Sequence, residues 1–511
     1  MTSGATGEAR PEGASGAASL DAEHLENVRP HDWQNPTPTA TYHLVVIGGG
    51  PAGLAAARGA AMLGARVALI ERHWLGGESL NHGSVPTKAI WRTARLHAQM
   101  RDAEQFGASA PVLGPVDFEA VSARARRVRT RIGQLDSAAK LKALGVDLYF
   151  GAACFSGPRS IDVDGTALRF RKAIVATGAR PATIEIPGLA EAGYVQASTM
   201  FEAFGAPRRM LVVGGGPNGC EGAQALARFG VHTIIAMSEP LFLPGEERDA
   251  AQMVSDALAR DGVEIHLNTT VRSVRVEGRD KVVELVNDGE VSTVTVDTIF
   301  VGLGQRPNIE GLALERAGIE VDPAIGIVVD DTMRTTNRRV YAAGDVCMQA
   351  HRTSIAVASA RIAVFNALLW RCRRFSALAI PWCTYTDPEI AHVGMYVREA
   401  RRRGIPVKSF TVPMHEVDRA LADGEETGFV KIHVRDGTDK ILGATIVAPH
   451  AGEMINEISL AITAKLGMRT LQRVLRAYPT QAEAMRLAAD RYQLSKATAT
   501  LRWLMRAWVS R

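Results

Sequence analysis

The sequence predicts an α/β protein, and three observations predict it. The run LVVIGGGPAGLAAARGAAMLGARVALIER (residues 44–72) reads as a strand, a glycine turn, an alanine-rich helix and a second strand. The same grammar returns in MLVVGGGPNGCEGAQALARFGVHTIIAMSE, from Met210 to Glu239. From Leu378 onward the pattern changes: IPWCTYTDPEIAHVG, GFVKIHV and KILGATIV read as antiparallel strands and AGEMINEISLAITAKLG as a helix, a third domain of α+β type.

Each element has a physical reason. In the first unit Gly48, Gly50 and Gly53 fit G-x-G-x-x-G between a strand and a helix. The first glycine permits the tight turn, the second lets backbone approach a pyrophosphate, and the third lets helix and strand pack closely. The helix N-terminus then offers unpaired N–H groups to phosphate. Glu71 ends the following strand, where an acid binds a ribose hydroxyl. Gly214, Gly216 and Gly219 repeat the pattern in the second unit. There the ribose-reading end runs Met237, Ser238, Glu239, with neither a clear acid for NAD nor an arginine for the 2′-phosphate of NADP. Two Rossmann-like dinucleotide-binding domains are expected. Between them, residues 117–143 form an arginine-rich helical stretch and 148–170 short strands.

Composition sets bounds. The chain has 511 residues, 46% hydrophobic and 22% charged, as a globular protein of several domains has. The net charge of +5 comes with no nucleic-acid motif, so no nucleic-acid partner is expected. The five cysteines form no C-x-x-C pair and are odd in number, which argues against a disulfide framework and a metal site and suits a reducing, cytoplasmic setting. Residues 1–40 are rich in Gly, Ala and Ser and contain no cysteine, so a mobile tail is expected, with neither a signal peptide nor a metal-binding module. In the last stretch, TATLRWLMRAWVSR, Leu501, Leu504, Met505 and Trp508 fall on one helical face and Arg502 and Arg506 on another. Such a helix either anchors peripherally at the inner face of a membrane or packs on the protein or its partner.

The ordered motifs GGGPAG, GGESLNHGSVPTK, ATGARP, GGGPNGCE, VGLGQRP, AAGDV, YTDPEIAHVG and YPTQAEA resemble those of the flavoprotein disulfide reductases, in that family's order, from about Asp32 to about Tyr492. The mercuric reductase-like and dihydrolipoamide dehydrogenase-like branch is the most similar, because Tyr478 stands where most members carry histidine. The resemblance implies a tail (1–40), an FAD-binding domain (41–190 and 305–375), an NAD(P)-binding domain (191–304), a dimerisation domain (376–493) and a basic amphipathic helix (494–511). It implies FAD held by the first glycine loop with Glu71, Gly77, Thr177, Gly178 and Asp345, and NAD(P)H as co-substrate at the second loop. It implies Lys88 beside the flavin, paired with Glu221. It also implies a homodimer whose active site is shared, with Tyr478 and Glu483 donated across the interface.

The chain departs from the family at two places. Where members carry two redox cysteines, this chain has Ser79 and Ser84. A hydroxyl has no accessible redox couple, so the pair cannot relay electrons as a disulfide does. The usual His–Glu dyad becomes Tyr478 and Glu483, and a phenol with a pKa of about 10 is a poor base at neutral pH. Mercuric or disulfide reduction is therefore not expected. His82, between the serines, and Cys347, beside Asp345, are read as ordinary structural residues. Asn218 and Met237 differ from common family choices too, which fits natural divergence better than an engineered pair of serines. Three functions stay open. One is an NAD(P)H oxidoreductase passing flavin electrons directly to a small acceptor such as a quinone or oxygen. The others are an FAD-binding structural or regulatory protein, and an inactivated disulfide or mercuric reductase.

Overall fold

The computed structural model describes residues 12–109, 114–182, 184–196, 199, 207–496 and 508–509. By internal contacts the chain forms two units. One takes the chain up to Arg208 together with Asp297–Ala377, and the other Arg209–Val296 with the chain from Leu378.

The first unit is built on a parallel sheet. Strand β1 (Tyr42–Ile47) pairs with β2 (Val67–Glu71), which pairs with β3 (Val146–Phe150). On its other side β1 pairs with Thr166–Val175, which also receives Val340–Ala342 in parallel. These strands read as continuous apolar runs because both faces of a parallel sheet are covered. Every residue of β2 is buried. Helix α2 (Pro51–Met62) starts on Gly50 with proline at its first position, where the missing N–H costs nothing. Helices α3 (Gly77–Asn81) and α4 (Ser84–Arg101) carry the serine loop, and α5 (Phe118–Gly133) lies beyond them.

The expected tail begins otherwise than the composition suggests. Helix α1 spans Glu12–Val28, and its His24 and Val28 are buried. These two lie at i and i+4, on one helical face, and the docking of that face outweighs the glycine and serine content. The chain then runs across the sheet edge, where the Asn35 side chain accepts from the Phe150 N–H at 2.8 Å and donates to its carbonyl at 2.9 Å. The expected amphipathic helix over 494–511 falls mostly outside the described residues. Among those described, no helix is long and apolar enough to cross a membrane.

The second unit opens on a parallel sheet in which His232–Ala236 pairs with both Arg209–Val213 and Val263–His266. The second nucleotide-binding repeat, expected over 191–304, contributes Arg209–Val296 to this unit. A five-stranded antiparallel sheet follows, in the order 381–384, 389–394, 441–448, 429–435, 407–413. The helix Ala451–Thr463 and the helix Glu483–Lys496 contribute Ile458, Met485 and Ala489 to its buried core. Polar contacts join the repeat to this sheet domain. Gln224 exchanges hydrogen bonds with the Asp387 backbone at 2.7 and 2.8 Å, and Arg228 bridges Asp261 and Asp387, both at 2.8 Å.

The glycine turn tolerates no side chain where helix meets strand. A Cβ on Gly53 would collide with the Gly48 carbonyl oxygen, whereas at Gly59, in the same helix, nothing lies within 4 Å. Gly53→Ala should therefore lower stability by about 3 kcal/mol or more, and Gly59→Ala should be neutral or add up to about 1 kcal/mol. Chemical denaturation of the two variants checks this, and equal midpoints would refute it.

Candidate functional site: two nucleotide cradles and a serine loop

The two repeats build the same cradle. Gly48 and Gly214 take positive φ, at 104° and 106°. Gly53 and Gly219 each pack on the carbonyl of the glycine that opens the motif. A Cβ on Gly50 would find its nearest neighbour 3.9 Å away, at Gly77, and one on Gly216 would find nothing within 4 Å. The middle glycine of each turn thus leaves its backbone open to a phosphate, at the N-terminus of the helix it caps.

The ribose-reading positions differ. Beside Gly49 stands Glu71, buried, its Oε2 accepting the Gly49 N–H at 2.6 Å and its Oε1 the His73 N–H at 2.7 Å. A carboxylate has about four acceptor sites, so half remain for ribose hydroxyls. Beside Gly215 stands Met237: an added Cβ there would lie 2.5 Å from its Sδ, as one on Gly49 would lie 3.1 Å from Glu71 Oε2. Met237, buried and apolar, is thus the counterpart of Glu71, while Glu239 is exposed and takes a 3.4 Å contact from Ser238.

Around the first cradle the predicted residues gather within one unit. Gly77, at φ 55°, lets the serine loop approach Gly50, since a Cβ would lie 2.9 Å from the Gly50 Cα. Thr177 Oγ1 donates to the Asn308 carbonyl at 2.8 Å, Asn308 Nδ2 returns a bond to the Thr177 carbonyl at 2.9 Å, and its N–H reaches the Gly178 carbonyl at 2.9 Å. Asp345 is largely buried, and its Oδ1 has no hydrogen-bond partner among the described residues. Burial raises its pKa to about 6. Ser79 Oγ lies 3.0 Å from Thr353 Oγ1, Ser84 is exposed at the start of α4, and Lys88 is half-buried one turn on. His82 packs against Trp74, ring centres 5.6 Å apart. Cys347 is buried, its Sγ 3.3 Å from the Gly344 carbonyl, and burial pushes its thiol pKa up, so it holds no thiolate.

Glu78 lies inside the loop GGESLNHGSVPTK, where the sequence alone does not single it out. It is mostly buried, with Gln305 Nε2 at 3.3 Å, and burial followed by the neighbouring Asp345 charge raises its pKa to about 7. The signal available was an ionisable residue between two glycines and a buried leucine.

In the second unit Glu221 is buried and its Oε1 accepts the Tyr385 N–H at 2.8 Å. Lys88 and Glu221 belong to different units. The expected Tyr478–Glu483 dyad takes other partners. The phenol, exposed, donates to Asp418 Oδ2 at 2.8 Å, and that bond, then the Asp418 charge, raises its pKa further. Glu483 pairs with Arg486. Among the described residues no group of three or more His, Cys, Asp or Glu is placed to hold a metal.

Two glycine cradles for dinucleotides, one with a ribose-binding acid, define an α/β oxidoreductase scaffold that brings two cofactors into play. Residues 42–362 match the pyridine nucleotide-disulphide oxidoreductase family and 380–489 its dimerisation domain, and the chain belongs to that family. It is 30% identical over 449 residues to a mercuric reductase of Staphylococcus aureus, covering 88% of this chain and 82% of that one. It is 34% identical over 458 residues to a dihydrolipoyl dehydrogenase of Thermus scotoductus, covering 88% and 97%. Among solved structures, LpdA from Mycobacterium tuberculosis superposes with a TM-score of 0.80 at 28% identity, covering 88% of this chain and 99% of that one. The HOCl-induced flavoprotein disulfide reductase RclA of Escherichia coli gives 0.79, also at 28% and with the same coverage. The cofactors are those of the family, FAD with NAD(P)H as co-substrate. The first cradle fits FAD by its own geometry: an orphaned buried carboxylate oxygen on Asp345, spare acceptor sites on Glu71, and an open backbone at Gly50.

Two outcomes follow. A carboxyl whose folded-state pKa is raised favours the fold below its unfolded value, near 4.5, and that contribution is lost as pH climbs to about 7. In the apoprotein, Glu78→Gln should therefore gain stability over the natural chain as pH rises from 5 to 8, by about 3 kcal/mol at most; parallel melting curves at all pH values would contradict this. Met237→Glu should shift preference toward NADH, raising the NADH-to-NADPH ratio of kcat/KM by on the order of tenfold; steady-state kinetics with both nucleotides decides it.

Proposed function

We propose that this chain is an FAD-dependent NAD(P)H oxidoreductase that passes electrons from reduced flavin directly to a small acceptor, a quinone or oxygen, without a redox disulfide. One observation supports the reading: the loop GGESLNHGSVPTK carries Ser79 and Ser84, which the resemblance aligns with the family's redox cysteines, beside flavin-site motifs that are kept. Ser79 Oγ instead takes part in a neutral hydrogen bond with Thr353.

Bound FAD supplies the redox chemistry, accepting a hydride from NAD(P)H and releasing electrons singly or in pairs. The chain's residues bind and tune. Gly48, Gly50, Gly53, Gly77, Glu71, Thr177, Gly178 and Asp345 hold that cofactor, and Gly214, Gly216 and Gly219 hold the nicotinamide nucleotide. Lys88 supplies a cation that favours negative charge at the flavin site. Tyr478 has its proton committed to Asp418, so toward an acceptor it offers lone pairs rather than acid–base catalysis. In a homodimer it would line the partner's site together with Glu483. The reduction of mercury named for the Staphylococcus aureus relative is not carried over, because the loop has no thiolates to hold the metal.

Anaerobic titration of the holoprotein tests the reading. NADH or NADPH should bleach the oxidised flavin band at two electrons per subunit, and air or a quinone should restore it. The Ser79→Cys/Ser84→Cys chain should take up two further electrons per subunit. No bleaching with either nucleotide would leave an FAD-binding structural protein as the better reading.

A further inference from the structure

We propose that the N-terminal segment is a brace for the serine loop, and that His24 is the residue that positions it. Residues 12–41 precede the part of the chain that matches the family, which begins at residue 42. Helix α1 is fastened along α5. Asp21 pairs with Arg129 and, at 3.6 Å, with Arg126; Thr130 Oγ1 donates to the Leu20 carbonyl at 3.2 Å; and Gln134 Nε2 donates to Glu23 at 2.8 Å.

From that anchorage the segment grips the stretch between Glu71 and Ser84 at four positions. Arg29 donates to the carbonyls of Arg72 and His73 at 2.6 and 3.0 Å. The Val28 carbonyl accepts the Leu75 N–H at 3.1 Å. His24 Nε2 lies 2.7 Å from Asn81 Oδ1, both residues being buried. The Asn81 amide donates to the carbonyls of Leu75 and Gly77 at 3.1 and 2.8 Å, so its oxygen must accept. His24 is therefore the Nε2–H tautomer, and its Nδ1 faces Gly133 with no hydrogen-bond partner among the described residues.

Asn81 stands between Ser79 and Ser84. A disulfide there would tie the loop covalently, and two hydroxyls cannot. The His24–Asn81–Leu75/Gly77 chain of hydrogen bonds ties the same loop from outside and fixes Gly77 where it meets Gly50. What the brace does for the cofactor rests on the flavin reading above, whereas the brace itself does not.

The test uses the full-length chain with His24→Ala and His24→Gln. In the apoprotein, amide exchange over residues 76–84 should quicken roughly tenfold or more in H24A, with the helix Ala451–Thr463 unchanged. In the holoprotein, flavin fluorescence should show weaker FAD retention in H24A. H24Q, whose amide again offers a donor to Asn81, should restore both. The brace is wrong if H24A exchanges like the natural chain, if exchange quickens everywhere alike, or if H24Q behaves like H24A. Failure of the natural chain to bind FAD would sink the flavin reading, while the exchange result would still decide the brace.

Discussion

A diphosphate can lie against bare backbone N–H groups only where the chain carries no Cβ, and the contact of Gly53 with the Gly48 carbonyl is where that constraint is met. It sets how closely α2 crosses β1, and so where the first helical N–H groups point. The rest of the first unit is arranged around this contact. The neighbouring strand brings Glu71 to the turn, the serine loop closes over Gly50 through Gly77, and Asp345 enters from the far end of the unit's sequence. The second repeat meets the same constraint with Gly214 and Gly219, which is why two stretches far apart in the chain share one local geometry.

The first cradle is rich in acid. Glu71, Glu78 and Asp345 surround a place meant for an anion, and of the three Glu71 accepts two backbone N–H groups. Burying unpaired carboxylates is costly, and the usual relief is a proton. Glu78 and Asp345, both raised toward neutrality, carry that relief. Burial thus moves Glu78 and Asp345 toward the protonated form, while the helix dipole at Gly50 provides the positive end. Serines at 79 and 84 suit such a setting, since they add hydrogen-bonding capacity and no charge.

What the sequence discloses follows from how local each signal is. The glycine spacings, the strand ending at Glu71 and the serines of the loop are legible because a few consecutive residues determine them. Met237 was noticed as a departure, but its place as the counterpart of Glu71 needed the register of Gly215 against it. Partnerships across long separations were not legible. Nothing near Tyr478 announces Asp418, sixty positions earlier. Nothing in a Gly- and Ala-rich beginning announces that His24 meets Asn81, fifty-seven positions on. Composition weighs the segment as a whole, whereas two buried residues, His24 and Val28, and a few polar contacts such as Asp21 with Arg129 dock it.

Asn35 carries one more consequence. Its amide presents a donor and an acceptor with the spacing of a peptide group, and it meets both backbone groups of Phe150 at the outer strand of the sheet. A single side chain thereby stands in for an adjoining strand. Unsatisfied strand borders invite foreign chains to add on, and at Phe150 the border is satisfied from within the chain. A chain trimmed back to its nucleotide-binding core would lose that partner along with its first helix.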